Sequence, residues 1–329
     1  MMERRIRNDT FCDKNLTMIV TSSLQDVKHD SNSIITIGTF DGVHLGHQLI
    51  FQKLQDRARE CNCRSVIVTF EPHPREVVGK GPVMLLSTPA ERINLIKSAG
   101  VDLVCVIEFT YDFSRLTSRE FYERYILHGI GVKGMIVGHD HMFGRDRKSN
   151  IDDLRQMGGE SHFDVEVVEP VSFEGEIISS TKIRNLLLQG DVERAARFLN
   201  RPYSMEGIVV EGDRRGETLG FPTANIQPKS INKLIPSDGV YFISGDISGQ
   251  RFYGMLNVGV RPTFKSDQQR IIEANLFGVN EILYGRELTL HFLKRLRAEV
   301  KFSSKEELIT QLHIDRNMCM KFITEIQQS

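Results

Sequence analysis

No apolar run in this 329-residue chain approaches the roughly 20 residues that a bilayer span requires. The longest, at 65–70 and 101–107, are strand-sized, so no membrane segment is expected. The charged opening, residues 1–9, leads into neither the apolar stretch nor the small-residue cleavage site of a secretory signal, and the expected compartment is the cytoplasm. An excess of either charge is missing as well. The 42 Lys and Arg nearly balance 43 Asp and Glu, which leaves no basic field to hold a nucleic-acid backbone and no acidic tail. Cysteine is sparse and odd in number. Cys12, Cys61, Cys63, Cys105 and Cys319 are scattered in a way that fits reduced thiols better than a disulfide framework, and the lone Cys61-x-Cys63 has no partner pair to make a metal site. Internal repeats and low-complexity segments are also lacking.

What is present is the composition of a soluble globular chain too long for one undivided core, so two domains are expected. From about residue 33 to 170, β-branched runs at 34–37, 65–70, 103–109, 134–137 and 165–168 alternate with helical spacing at 47–61, 89–99, 118–128 and 151–157. Ser87-Thr-Pro-Ala-Glu91 and Thr117-Ser-Arg-Glu120 place a hydroxyl cap before a first-turn carboxylate, as helix starts do. That alternation predicts a doubly wound α/β domain, Rossmann-like, with a parallel sheet. A helical stretch over 180–199, broken at Gly190-Asp191, stops at Asn200-Arg-Pro202, and the pattern then changes. The expected domains are therefore 1–200 and 201–329. Strand candidates at 205–211, 239–245, 251–258, 270–277 and 287–293 predict a small closed antiparallel β-barrel, because closure removes exposed edges. The amphipathic stretch 303–327 reads as a helix outside it.

Gly38-Thr-Phe-Asp-Gly-Val-His-Leu-Gly-His47 follows the first strand and opens the first helix, where free N–H groups and the positive dipole end make a phosphate site. His44 and His47 are three apart and share one side of the first turn. Two imidazoles there can donate to an ATP phosphate and stabilise charge growing at the α-phosphorus. A helix cap with two surface histidines, or a metal pair, would account for the same residues. The string resembles the His-x-Gly-His signature of the nucleotidylyltransferase superfamily, and with Phe40-Asp-Gly-Val it is similar to the adenylyltransferase half of bacterial FAD synthetases. Ile178-Ser-Ser-Thr-Lys-Ile-Arg184 resembles the second signature of that superfamily. The resemblance implies ATP contacts from Gly38, Phe40, Asp41, Gly46, Ser179, Ser180 and Thr181, and catalytic roles for His44, His47 and Arg184. Arg184 offers a fixed fork for the phosphates that leave as pyrophosphate. It also implies an FMN pocket from Thr69-Phe-Glu-Pro-His-Pro74 and Val137-Gly-His-Asp-His-Met-Phe-Gly-Arg145, with Phe70, His73, Pro74, Asp140 and Phe143 around the ring system. His141 stands where an aromatic is common in the family.

In the second half, Gly212-Asp-Arg-Arg-Gly-Glu-Thr-Leu-Gly-Phe-Pro-Thr-Ala-Asn225 has glycines that allow close approach to phosphates, and Thr223 and Asn225 offer neutral oxygens to Mg²⁺. This string resembles the riboflavin kinase signature. Asn257-Val-Gly-Val-Arg-Pro-Thr-Phe264, Ile272-Glu273, Leu283-Tyr-Gly285 and Arg295-Leu-Arg-Ala-Glu-Val-Lys-Phe302 follow in that family's order. The resemblance implies ATP binding by Gly212, Gly216, Gly220, Pro222, Thr223 and Asn225, Mg²⁺ on Thr223 and Asn225, Glu273 as the catalytic base, and Arg297 as a flavin anchor. Two positions depart from the pattern: Glu217 replaces a frequent basic residue, and Ala274-Asn275 replaces Val-His. The implied activity is bifunctional, riboflavin to FMN and then FMN to FAD, each with ATP. A monofunctional kinase with an inactive first domain and a non-catalytic flavin-binding regulator stand as alternatives. The expected partners are riboflavin, FMN and ATP, with no nucleic acid and no membrane, on a monomer or weak homo-oligomer.

Overall fold

A computed structural model describes residues 18–79, 81–141, 144, 151–211, 220–247, 250–261, 269–279 and 283–328. In chain order the first elements are β1 (Ile19–Thr21), β2 (Ser33–Ile37), α1 (Leu45–Glu60), β3 (Arg64–Glu71), α2 (Pro74–Val77), α3 (Pro89–Lys97) and β4 (Leu103–Glu108). Next come α4 (Tyr111–Ser114), α5 (Ser118–Phe121), β5 (Gly134–Gly138), α6 (Ile151–Ser161), β6 (Asp164–Val168), β7 (Ser172–Phe173) and β8 (Glu176–Ile177). The remainder is α7 (Ser180–Leu188), α8 (Val192–Leu199), β9 (Tyr203–Val210), β10 (Ala224–Pro228), β11 (Gly239–Ile247), β12 (Gln250–Arg261), β13 (Gln269–Leu276), β14 (Glu287–Arg297) and α9 (Lys305–Gln328).

These elements form two compact units. The first comprises the described residues of Met1–Gly38, Phe51–Glu71 and Ile96–Val167. Its sheet runs in the order β1-β4-β3-β2-β5-β6, and the pairs β1/β4, β4/β3, β3/β2 and β2/β5 are parallel. All of β2 and residues 65–70 of β3 are buried, which is why these strands read as continuous apolar runs rather than alternating ones. β1 carries no such signal, being three residues long with Ile19 and Val20 exposed, and its pairing with β4 alone defines it. The helix expected over 118–128 starts on a capping box between Thr117 and Glu120 and continues from Tyr122 to Ile130 in π geometry. Gly131 ends it at φ +83°, where a Cβ would lie 2.5 Å from the Asp30 carbonyl carbon, so only glycine fits. Cys61 and Cys63 approach one another across the turn after α1, with Cα atoms 5.3 Å apart. Cys105 and Cys319 are free and buried.

The second unit comprises Thr39–Ile50, Pro72–Leu95 and the described residues of Val168–Ser329. Its barrel closes in the order β10-β13-β12-β11-β14-β9, antiparallel at each step, and the β9/β10 pair joins the ends. β9 alternates strictly between buried and half-buried residues, the period of a strand with one face on a core. Met205, Ile226, Leu256, Ile272 and Phe292 fill the interior, and the same apolar cluster takes in Leu86, Ile183 of α7 and Phe198 of α8. Asn200, in the left-handed conformation at φ 57°, terminates α8 where the Asn-Arg-Pro string predicts a stop. β10 falls where only a loop tail was expected, and pairing with β9 and β13 makes it a strand.

The helix α9 is tied to β14 by one ion pair. Asp315, only 1% exposed, accepts from Nε and Nη2 of Arg297 at 3.0 and 2.9 Å and from Gln311 Nε2 at 2.8 Å. The guanidinium also lies over the Phe302 ring at 5.6 Å. Removing one partner leaves the other charge buried and unpaired, which costs about 3–5 kcal/mol, whereas an apolar pair of similar volume is close to neutral. Asp315→Ala is therefore expected to lower the urea midpoint sharply, and Arg297→Met with Asp315→Leu to recover most of the loss. Equal midpoints for Asp315→Ala and the unmodified chain would show that the pair does not anchor α9.

Candidate active sites

The loop that follows β2 has a strained backbone. Phe40 and Val43 adopt φ of 48° and 40°, Gly42 lies at 81°, and a β-branched residue at positive φ is a genuine outlier. Three side chains from distant segments and one from the adjoining helix α1 hold it there. Arg92 Nη1 donates to Thr39 O at 3.3 Å, Ser180 Oγ to Asp41 O at 2.9 Å, Arg201 Nη2 to Gly42 O at 2.6 Å, and Gln48 Nε2 to Val43 O at 2.9 Å. The Asp41 carboxylate, 1% exposed, accepts from Leu86 N at 3.0 Å, Ser87 N at 2.9 Å, Ser87 Oγ at 3.2 Å and Nη2 of Arg184. The two signature strings, 139 and more residues apart in sequence, thus meet at Asp41.

His44 and His47 stack with ring centroids 3.6 Å apart and planes within 20°, and Phe40 packs edge-on against His47 at 5.2 Å. Gly46 is what permits this arrangement, because a Cβ there would press on the His44 ring at 3.2 Å. Burial first, then the neighbouring His44, holds the His47 ring well below the ordinary imidazole pKa, so it is neutral near pH 7. Nδ1 of His47 has no hydrogen-bond partner among the described residues. Ser179 caps α7 by accepting from Lys182 N at 3.2 Å, and Thr181 is exposed. Arg184 also donates from Nε to Met84 O at 2.8 Å, which leaves Nη1 without a partner among the described residues. Arg201 and Ser87 join this site although the sequence shows the one only as part of a helix terminator and the other only as part of a helix start. Burial lowers the Arg201 pKa to about 10, and it remains a cation at neutral pH.

His73 caps α2, its Nδ1 accepting from Arg75 N at 3.2 Å ahead of Pro74. Gly38, Phe70 and Asp140 belong to the first unit. Gly38 N donates to Val68 O at 3.1 Å. Phe70 is 2% exposed, its ring enclosed by Phe109, Phe113 and Phe121 at centroid distances of 5.7, 6.0 and 6.4 Å. Asp140 is exposed. Beside it, His141 Nε2 is hydrogen-bonded to Tyr122 Oη at 2.6 Å, and burial pushes its pKa down to about 4. Phe143 lies outside the described residues.

On the barrel, Gly212, Gly216 and Glu217 lie outside the described residues, and Gly220 turns the chain at φ +77°. Pro222 is exposed, whereas Thr223 and Asn225 are half-buried. Asn225 of β10 is in register with Glu273 of β13, which is in register with Asn257 of β12. Directly paired residues share a face, and because Ile272 and Ala274 are interior, the row Asn225, Glu273, Asn257 lies on the outer wall. The Glu273 carboxylate makes no hydrogen bond or ion pair with any described residue. Asn257, visible in sequence only as the start of a motif, enters the site through this register. Asn275, one of the departures from the family pattern, donates to Pro222 O at 2.7 Å and fastens the approach to Thr223. No cluster of three His, Cys, Asp or Glu that could hold a metal occurs among the described residues. Neutral oxygens beside one carboxylate suit a hard cation that keeps most of its coordination for water and phosphate. Arg297, the expected flavin anchor, has its guanidinium on Asp315 and, through Nη1, on Ala298 O at 3.1 Å.

Comparison with known proteins bears on both sites. A family model described as FAD synthetase matches residues 26–182, and one described as riboflavin kinase matches 199–323. The bifunctional riboflavin kinase/FMN adenylyltransferase of Bacillus subtilis is 34% identical over 309 residues, covering 92% of this chain and 96% of that one. The chain belongs to the bifunctional riboflavin kinase/FMN adenylyltransferase family. Its relatives of that name include one from Pseudomonas fluorescens, 39% identical over 86% of this chain and 90% of that one. A solved structure described as a macrolide-efflux protein from Streptococcus pneumoniae superposes with a TM-score of 0.84 at 33% identity, covering 92% of this chain and 98% of that one. No helix among the described residues is long and apolar enough to cross a membrane.

Within this family member, His73 provides a test by pH. Burial, with Arg184, Arg75 and Arg92 adding to it and Asp41 opposing, lowers its pKa from 6.5 to about 4. A histidine with a depressed folded value binds fewer protons folded than unfolded, so its stabilising effect is complete above about 6.5 and is lost as pH falls toward 4. Protonating Nδ1 also removes the acceptor that caps α2. His73→Asn keeps an acceptor and does not titrate, and it is expected to flatten part of the fall in urea midpoint between about pH 7 and 4.5. An unchanged pH slope would show that His73 takes up its proton over the same pH range folded and unfolded.

Proposed function

We infer that this chain carries out two consecutive ATP-dependent steps, phosphorylating riboflavin to FMN and adenylating FMN to FAD. The observation that supports the reading most is the meeting of both adenylyltransferase signatures on Asp41, through Ser180 Oγ and Arg184. In the adenylating step, a phosphate oxygen of FMN attacks the α-phosphorus of ATP, and pyrophosphate leaves. The stacked rings of His44 and His47 offer N–H donors where charge grows on the phosphoryl oxygens. Arg184, braced by Asp41 and Met84, directs Nη1 at the departing phosphates. In the kinase step, Glu273 accepts the proton of the riboflavin primary hydroxyl as it attacks the γ-phosphorus, and ADP leaves. Thr223 and Asn225 would hold Mg²⁺, which supplies charge neutralisation of the phosphates. No residue need form a covalent intermediate in either step. The reading divides the chain near residue 200, puts it in the cytoplasm as a monomer or weak homo-oligomer, and leaves no role for a nucleic acid or a membrane.

Incubating the chain with riboflavin, ATP and Mg²⁺ and separating the flavins chromatographically over time is expected to show FMN rising first and FAD after it. His47→Ala is expected to cut FAD formation by about 10²-fold or more while FMN still forms. Glu273→Gln is expected to slow FMN formation by about 10²- to 10⁴-fold and leave conversion of supplied FMN to FAD unaffected. FMN alone from the unmodified chain would refute the adenylating half, and neither product would refute the whole reading.

A further inference from the structure

Lys233, in the turn region between β10 and β11, is 3% exposed, an unusual position for an ammonium group. Its Nζ donates to Leu86 O at 2.8 Å and to Glu91 Oε2 at 2.6 Å, and lies 4.6 Å from the centroid of the Tyr203 ring. Burial draws its pKa down and Glu91 opposes that. A buried pair of this kind seldom adds stability over an apolar one of the same shape, so its effect is better sought in what it holds in place.

What it holds is the strip Met84–Leu85–Leu86–Ser87, a run of three rigid peptide planes, each engaged from both sides. In the first plane, Met84 O accepts from Arg184 Nε at 2.8 Å and Leu85 N donates to Asn232 O at 2.7 Å. In the second, Leu85 O accepts from Leu234 N at 2.9 Å and Leu86 N donates to Asp41 Oδ2 at 3.0 Å. In the third, Leu86 O accepts from Lys233 Nζ at 2.8 Å and Ser87 N donates to Asp41 Oδ1 at 2.9 Å. One side of the strip is residues 232–234, within the stretch matched by the riboflavin kinase model, and the other is the Asp41–Arg184 pair of the adenylyl site. On the side of residues 232–234, the third plane alone meets a full charge, because the first two meet the backbone groups Asn232 O and Leu234 N. An ammonium on its carbonyl polarises the peptide and strengthens donation by its N–H to the carboxylate.

We propose that Lys233 is a positioning residue for adenylyl transfer, supplied by the kinase half of the chain, which aims Arg184 through the Leu86–Ser87 peptide and Asp41. The proposal rests on the adenylyltransferase reading above. It predicts that a change in the barrel half impairs FAD formation selectively.

The test uses the full chain carrying Lys233→Met together with Glu91→Gln, which removes both charges, leaves no unpaired ion, and keeps an acceptor for Thr88 N. FMN and ATP are supplied for one reaction, and riboflavin and ATP for the other. The expected result is an adenylylation kcat lower by about 10- to 100-fold, with KM for FMN within about threefold and the kinase step within about twofold of the unmodified chain. Adenylylation at the unmodified rate, or an equal loss of both activities, overturns the proposal, the latter marking a merely structural residue. If the double variant does not fold, Lys233→Arg decides. Because it keeps a cationic donor, it is expected to retain adenylylation within about threefold, and selective loss of that activity would overturn the role of the charge. Failure of the unmodified chain to convert FMN to FAD would sink the underlying reading, an outcome separate from these.

Discussion

A carboxylate sealed from water is the interaction on which the rest of the adenylyl site depends. Asp41 accepts four hydrogen bonds, from two successive backbone amides, the Ser87 hydroxyl and the Arg184 guanidinium. Burying an isolated carboxylate costs several kcal/mol, and charge-assisted bonds of about 1.5–3 kcal/mol each can offset it. The same bonds force the flanking backbone into place. Positive φ at Phe40 and Val43 costs on the order of 1–3 kcal/mol apiece, and it persists because Arg92, Ser180, Arg201 and Gln48 together occupy the carbonyls of Thr39, Asp41, Gly42 and Val43. The stacked histidines follow immediately, so their geometry is inherited from a loop that has few other ways to lie.

The elements legible in sequence are those whose burial pattern is local. β2 and β3 are covered on both faces and show as unbroken apolar runs, and β9 has one inner face and shows as strict alternation. β1 and β10 are illegible for the same reason in reverse. The first is three residues with two exposed, and the second follows turn chemistry without a β-branched run, so partner strands alone define them. The π geometry after Phe121 likewise leaves no trace in a helical repeat.

For the sites, sequence motifs identify residue types more readily than the direction in which each side chain turns. His44 and His47 stack on one another, and Arg184 meets the loop that precedes them at Asp41. Asp41 faces inward onto the protein rather than outward, and Arg297 serves Asp315. Arg201, Ser87 and Lys233 act on segments between 45 and 159 residues away, and such long-range pairings have no local signature. Asn257 is similar, since only the register of β12 against β13 sets it beside Glu273.

That register has a consequence for how the kinase half can change over evolutionary time. Along β13 and its neighbours, the two-residue repeat sends Ile226, Val258, Ile272 and Ala274 into the apolar cluster and Asn225, Asn257 and Glu273 to the wall outside. Packing and outer surface are thus written on opposite faces of the same strands. Substitutions at the odd-numbered positions of this row alter the wall without loosening the barrel, while their even-numbered neighbours can drift among apolar residues of similar volume without altering the wall.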